Sequence, residues 1–243
     1  MNQDKRQLSN SHVTDPVSRS DRAEINAFLS QVRAITPAVG SGRIILALDA
    51  TMSRQPTWDL ACRLQAQMFD AVARAGDLKV QLVYFRGIDE CRASRFVGDG
   101  STLKNLMTKI VCRGGPTQIG KVFTQALRET EREKVNAVVF IGDSMEEGVD
   151  LLAKKAGELG VRGVPIFLFQ EGREPGVEIA FREFARLSKG AWFRFDANAA
   201  DTLAKLLSAI AVFATGGVKA LEARGRPEDR LLISHLKSPD GGG

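Results

Sequence analysis

The chain has 243 residues, of which 44% are hydrophobic and 26% are charged, and its formal net charge at pH 7 is +5. This length and composition are typical of a globular protein with one large domain or two small ones. Lysine and arginine often stand beside acidic residues, so we expect no specific nucleic-acid binding. The short apolar runs predict no membrane span, the polar first residues predict no signal peptide, and three widely spaced cysteines predict no disulfide framework. Together these features favour a cytoplasmic protein.

The sequence divides into four predicted segments. Residues 1–22 are polar and lack hydrophobic periodicity, which predicts a disordered N-terminal arm. Residues 23–41 are predicted to form an amphipathic helix and a glycine-containing connector. The main domain is predicted to cover 42–214, and 215–243 to form a C-terminal tail with short helices.

Within the main segment, short apolar strands alternate with amphipathic helices. This alternation predicts an α/β fold with a mostly parallel sheet and helices on both faces. The run at 91–97 is short and polar, so we expect it at the edge of the sheet. The other predicted strands are 43–48, 78–85, 135–141, 164–169 and 191–195. The predicted helices are 57–75, 101–111 with Ser101 as its cap, 118–131, 149–160, 176–188 and 199–213, followed by short helices at 218–223 and 231–236.

The first predicted strand ends at Asp49, and the loop after it carries Thr51 and Ser53 at alternate positions. A carboxylate and two hydroxyls spaced in this way can face the same side. Such oxygen ligands suit a small hard cation, Mg2+ or Mn2+. Clusters of this kind also cap helices and turns, so these three residues alone leave capping as an alternative.

Two further polar residues occur at comparable junctions. Asp143 follows the predicted strand 135–141, and Thr117 lies in a Gly-Gly-Pro-Thr connector that leads into a helix. In open α/β sheets the ligand site lies at the carboxyl ends of strands, where the strand order reverses. If the strands before Asp49 and Asp143 are neighbours there, their carboxylates face one crevice. The sequence therefore predicts five metal ligands, Asp49, Thr51, Ser53, Thr117 and Asp143.

This set resembles the metal-ion-dependent adhesion site (MIDAS) of the von Willebrand factor A (VWA) domain family. The pattern D-x-S/T-x-S is matched by DATMS at 49–53, the distant threonine by Thr117 and the distant aspartate by Asp143. The resemblance covers about 42–214. It implies a doubly wound, six-stranded sheet in the order 3-2-1-4-5-6 with one antiparallel edge strand.

Two positions depart from the commoner form of the motif. Thr51 stands where the family more often has serine, which keeps the hydroxyl and adds a methyl group. Met52 stands where a small residue is frequent, which predicts a more apolar rim around the site.

The resemblance also implies a function, that of a bacterial intracellular protein-binding module without enzymatic activity. Its Mg2+ or Mn2+ would bridge to an acidic group of a partner protein. One alternative is a metal-dependent hydrolase or phosphatase, which would need a general acid or base although the core region contains no histidine. Another is a scaffold with a vestigial metal site. Glu146 and Glu147 are expected to favour the first turn of the following helix, and Arg54 is expected to be solvated.

Overall fold

The computed structural model describes residues 42–54, 78–195 and 200–237. The predicted arm at 1–22, the predicted segment at 23–41 and the predicted helix at 57–75 lie outside these described residues.

Six strands form a single sheet in the order β3-β2-β1-β4-β5-β6. β3 pairs antiparallel with β2 at one edge, and the other neighbouring strands are parallel. The strand order is therefore the one that the resemblance implied, and the polar strand lies at the edge as its sequence predicted. The strands are β1 Gly42–Asp49, β2 Leu78–Arg86, β3 Glu90–Val97, β4 Ala137–Gly142, β5 Ile166–Glu171 and β6 Ala191–Phe195.

Helices cover both faces of this sheet, because successive residues of a strand point to opposite sides. Ile44, Leu46 and Leu48 of β1 pack in one apolar layer, and Ile45 and Ala47 pack in the other. The first layer includes residues of α1, α5 and α6, and the second includes residues of α2, α3 and α4. The helices are α1 Gly100–Met107, α2 Ile119–Arg132, α3 Val149–Val161, α4 Pro175–Ser188, α5 Ala200–Arg224 and α6 Pro227–Lys237.

The start of α1 differs from the prediction that Ser101 is its cap. The N-cap is Asp99, whose Oδ1 accepts a hydrogen bond of 2.7 Å from the backbone N–H of Thr102. The hydroxyl of Ser101 donates to the same carboxylate oxygen. A carboxylate at this position also interacts favourably with the positive end of the helix dipole, which explains why it takes the cap from a nearby serine.

The last long element, α5, consists of two helices separated by a kink. Gly217 leaves the helical conformation there at φ 65°, and the helices on its two sides correspond to the predicted helices at 199–213 and 218–223. The stretch Ala204–Arg224 is long and apolar enough, by length and composition, to cross a membrane, with a mean hydropathy of 1.5. Here its Leu207, Ile210 and Leu221 are completely buried in the apolar layer beneath the sheet, and the core helix of a folded domain meets the same criteria.

Candidate metal centre

Asp49, the last residue of β1, is completely buried at the carboxyl end of the sheet. Its Oδ1 accepts a hydrogen bond of 2.8 Å from the backbone N–H of Thr51. Its Oδ2 is also buried, and it has no hydrogen-bond partner among the described residues. The pKa of Asp49 is raised to about 6. Burial is the main cause and the charge of Asp143 contributes, while the hydrogen bonds from Thr51 and the charge of Arg54 lower the pKa.

The two hydroxyls after Asp49 lie together. Thr51 Oγ1 and Ser53 Oγ are 3.1 Å apart, and the chain makes a 3-10 turn over Met52–Arg54. Thr51 is buried, whereas Ser53 is exposed and Met52 has 55% of its surface exposed. The cluster therefore reaches solvent on the side of Ser53, where the side chain of Met52 adds apolar surface.

Asp143 is brought to Asp49 by the parallel pairing of β4 with β1, in which Leu48 lies opposite Ile141. Asp143 Oδ1 is buried without a hydrogen-bond partner among the described residues. Gly142, the residue before Asp143, leaves room for the ring of Phe140, because a Cβ at its position would lie 2.8 Å from that ring. The two predicted carboxylates are thus on adjoining strands, close enough for their charges to interact.

The connector that carries Thr117 is held at the carboxyl end of the sheet by two sets of hydrogen bonds. The backbone N–H of Arg113 donates to the carbonyl of Ala50 at 3.0 Å, which ties the connector to the loop after β1. Thr117 Oγ1 accepts a bond of 3.0 Å from the N–H of Glu146, and the N–H of Thr117 donates to the carboxylate of Glu146 at 2.9 Å. The loops that carry all five predicted ligands therefore meet at the carboxyl ends of β1 and β4.

The expectation that Glu146 and Glu147 favour the first turn of the following helix is wrong. Glu147 instead accepts bonds of 2.7 Å from the backbone N–H groups of Ile119 and Gly120, at the start of the preceding helix α2. The N-cap residue of α2, Gln118, makes no side-chain cap. Free N–H groups and the positive end of the helix dipole remain there to attract a carboxylate from the neighbouring loop.

The expectation that Arg54 is solvated is also wrong. Only 1% of its surface is exposed, and its guanidinium forms an ion pair with Glu171, the last residue of β5. Burial lowers the pKa of Arg54, while the carboxylates of Asp143 and Asp49 raise it. The strand was predicted to end at 169, and Glu171 therefore had no predicted role at the end of the sheet.

The donor set at this centre fits a hard divalent cation. It consists of carboxylate and hydroxyl oxygens, the ligands that Mg2+ and Mn2+ prefer. Buried polar atoms normally have partners, and a cation would supply one for both Asp49 Oδ2 and Asp143 Oδ1. Across 42–54, 78–195 and 200–237, no three histidine, cysteine, aspartate or glutamate side chains are grouped to hold a metal ion. An ion at this centre would therefore depend on the hydroxyls as well as the two carboxylates.

No protein-family model and no curated protein sequence matches this chain, but solved structures match its fold. One is a von Willebrand factor type A protein from Catenulispora acidiphila, 16% identical, with a TM-score of 0.56 over 70% of this chain and 42% of that one. The chain has the VWA fold. The sheet order implied by the MIDAS-like residues is thereby confirmed together with the fold.

Two other structures share the VWA fold with this chain. Proximal thread matrix protein 1 from the mussel byssus, in a structure with a zinc-occupied MIDAS motif, is 19% identical, with a TM-score of 0.57 over 76% of this chain and 52% of that one. An aerotolerance-related membrane protein from Bacteroides fragilis is 21% identical, with a TM-score of 0.53 over 68% of this chain and 96% of that one. This chain thus spans about half of the Catenulispora and mussel chains, and at these identities the likeness shows the fold alone.

Proposed function

We propose that the chain is a metal-dependent protein-binding module. Mg2+ or Mn2+, held by Asp49, Thr51, Ser53, Thr117 and Asp143, would bridge to an acidic group of a partner protein. The observation that supports this most is the pair of buried, unpartnered carboxylate oxygens on the adjoining ends of β1 and β4. The zinc-occupied MIDAS motif of the mussel protein supports a divalent ion on this fold. We assign Mg2+ or Mn2+ because every proposed ligand is a hard oxygen donor.

The requirement for an acidic partner follows from coordination and charge. Mg2+ prefers six oxygen ligands and often keeps positions for water or an external group. The exposed side of the centre, at Ser53 and Met52, is where such a group would approach. Without the ion, an approaching carboxylate would meet the like charges of Asp49 and Asp143. Partner binding should therefore require the metal.

A selection from a displayed peptide library tests this proposal. The chain is immobilised in Mn2+, and bound peptides are eluted with a chelator. We expect the selected peptides to share an aspartate or glutamate, to lose binding when that residue becomes asparagine or glutamine, and to bind Asp143→Asn protein poorly. Peptides that bind equally well in chelator, or without an acidic residue, would favour the scaffold with a vestigial site.

The hydrolase alternative makes a different prediction. A hydrolase would need a general acid or base beside the ion. The one histidine among the described residues, His235, lies in α6 with its ring 5.0 Å from that of Phe193 in the core. Turnover of phosphoesters with Mg2+ that disappears in Asp49→Asn protein would overturn the proposal of a binding module.

A further inference from the structure

Arg54 is unusually buried for a charged side chain at the carboxyl end of a sheet. It ends the 3-10 turn after β1, where its backbone N–H donates to the carbonyl of Thr51 at 3.1 Å. Its side chain is 1% exposed and forms an ion pair with Glu171, whose side chain is 16% exposed. A buried arginine is costly unless its charge is compensated, so its surroundings must supply negative charge.

The strand order shows what lies beneath this ion pair. Arg54 follows β1 and Glu171 ends β5, and β4 lies between these two strands in the sheet. Neighbouring strands are about 4.8 Å apart, so the turn after β1 and the long side chain of Arg54 together reach past the neighbouring strand β4 to the end of β5. Asp143 follows β4 directly. The guanidinium therefore lies near the carboxyl ends of the strands that carry Asp143 and Asp49, close enough for its charge to interact with both carboxylates.

We infer that Arg54, held in place by Glu171, is a built-in counter-cation of the candidate metal centre. It compensates the charges of Asp49 and Asp143 in the metal-free protein, and it lowers the affinity of the centre for a divalent cation. This inference rests on the proposed function for its metal-bound half only, since compensation in the metal-free protein is a property of the fold.

The same charge bears on the choice of partner. The net charge of the centre is zero when a divalent ion is bound, because the ion and Arg54 together neutralise the carboxylates of Asp49, Asp143 and Glu171. Without Arg54 the loaded centre would carry a net negative charge and would repel an acidic partner group. Arg54 thus lowers the affinity of the centre for the ion when no partner is bound. It also raises the affinity of the metal-bound centre for a partner carboxylate, which then helps to retain the ion.

Two variants that break the same ion pair separate this role from a structural one. Arg54→Met removes the cation and keeps a side chain that can fill the space, whereas Glu171→Gln removes the anion and leaves Arg54 charged. Binding of Mn2+ to the full chain is measured by calorimetry at about pH 8, where model-peptide carboxylates are ionised. We expect the Kd of Arg54→Met to fall about tenfold or more, because like charges near the ion are separated by a poorly screening interior.

The Kd of Glu171→Gln should change in the opposite direction, because the charge of Arg54 is then uncompensated. Arg54→Lys, which retains the charge, should stay closer to wild type than Arg54→Met does. If the ion pair only supported the structure, both pair-breaking variants would change the Kd in the same direction. That result, or an unchanged Kd in Arg54→Met, would overturn the inference.

A second arm uses no metal and distinguishes failure of this inference from failure of the proposed function. Urea unfolding in metal-free buffer compares wild type, Arg54→Met, Asp143→Asn and the double variant. Removing Asp143 should be more favourable when Arg54 is absent, with a non-additive change of about fivefold or more in the unfolding equilibrium constant. Additive effects would refute the counter-cation. Coupling without Mn2+ binding in any variant would instead keep the counter-cation and refute the metal-dependent function.

Discussion

Replacing Asp49 with asparagine should stabilise the metal-free protein at neutral pH. The side chain is completely buried, and burial raises its pKa from 3.8 to about 6. One pKa unit corresponds to about 1.4 kcal/mol, so ionising Asp49 costs about 3 kcal/mol more in the folded protein than in the unfolded chain. Asparagine removes this charge and keeps an oxygen that can accept the hydrogen bond from the N–H of Thr51.

The direction of the pH dependence follows from the raised pKa. The stability associated with protonated Asp49 is fully present below the usual carboxyl pKa and is lost as pH rises through about 6. The asparagine variant has no such loss. We therefore expect the two proteins to differ little at about pH 4, and the variant to be the more stable by about 3 kcal/mol at about pH 7.5.

Urea unfolding in metal-free buffer across this pH range measures the difference. Asp150→Asn, at an exposed carboxylate in the first turn of α3, controls for the loss of one negative charge elsewhere on the chain. A stability difference between wild type and Asp49→Asn that stays constant with pH, or a wild type that is the more stable at neutral pH, would refute the reasoning.

Three further predictions concern residues at the carboxyl end of the sheet. Glu147→Ala should lower the free energy of unfolding, measured with urea, by about 1–2 kcal/mol, because it removes the acceptor of two N–H groups at the start of α2. An equal loss in Glu147→Gln would argue against the role of Glu147 as a cap. Gly142→Ala should cost about 1–3 kcal/mol in the same assay, since its Cβ would lie 2.8 Å from the ring of Phe140. A neutral effect would contradict this geometry. The apparent Kd for Mn2+, measured by calorimetry, should rise about tenfold from pH 7 to pH 5, because a proton on Asp49 competes with the ion. A Kd that does not change with pH would place the ion elsewhere.

The sheet and the placement of Asp49 and Asp143 at adjoining strand ends could be predicted because local signals agreed with a topological rule. β1 ends in Asp49 and β4 is followed directly by Asp143, and ligand sites in open α/β sheets lie at strand ends. The resemblance to the MIDAS supplied the strand order that makes these ends neighbours. With that order given, the rule needs only the positions of the strands along the chain, which hydrophobic periodicity reveals.

The surroundings of the site could not be predicted in the same way. Arg54 reads as solvated because its partner, Glu171, is distant in sequence and lies at a strand end that the pattern placed two residues too early. Glu147 reads as part of the start of α3, since its contact with α2 exists only when two loops meet. Long-range partners of charged residues have no local signature, so sequence patterns assign them by default to solvent or to the nearest helix.

Calorimetric titration of the metal-free chain with Mn2+ tests the central claim most directly. It compares wild type with Thr117→Ala, which removes a proposed ligand hydroxyl, and with Thr130→Ala, which removes a hydroxyl that bonds to the carbonyl of Ala126 within α2. The account predicts one site in wild type and in Thr130→Ala, and a Kd raised about tenfold or more in Thr117→Ala, comparable to the loss of an important metal-site interaction. Absence of binding to wild type at millimolar Mn2+, or equal affinity in Thr117→Ala, would contradict it.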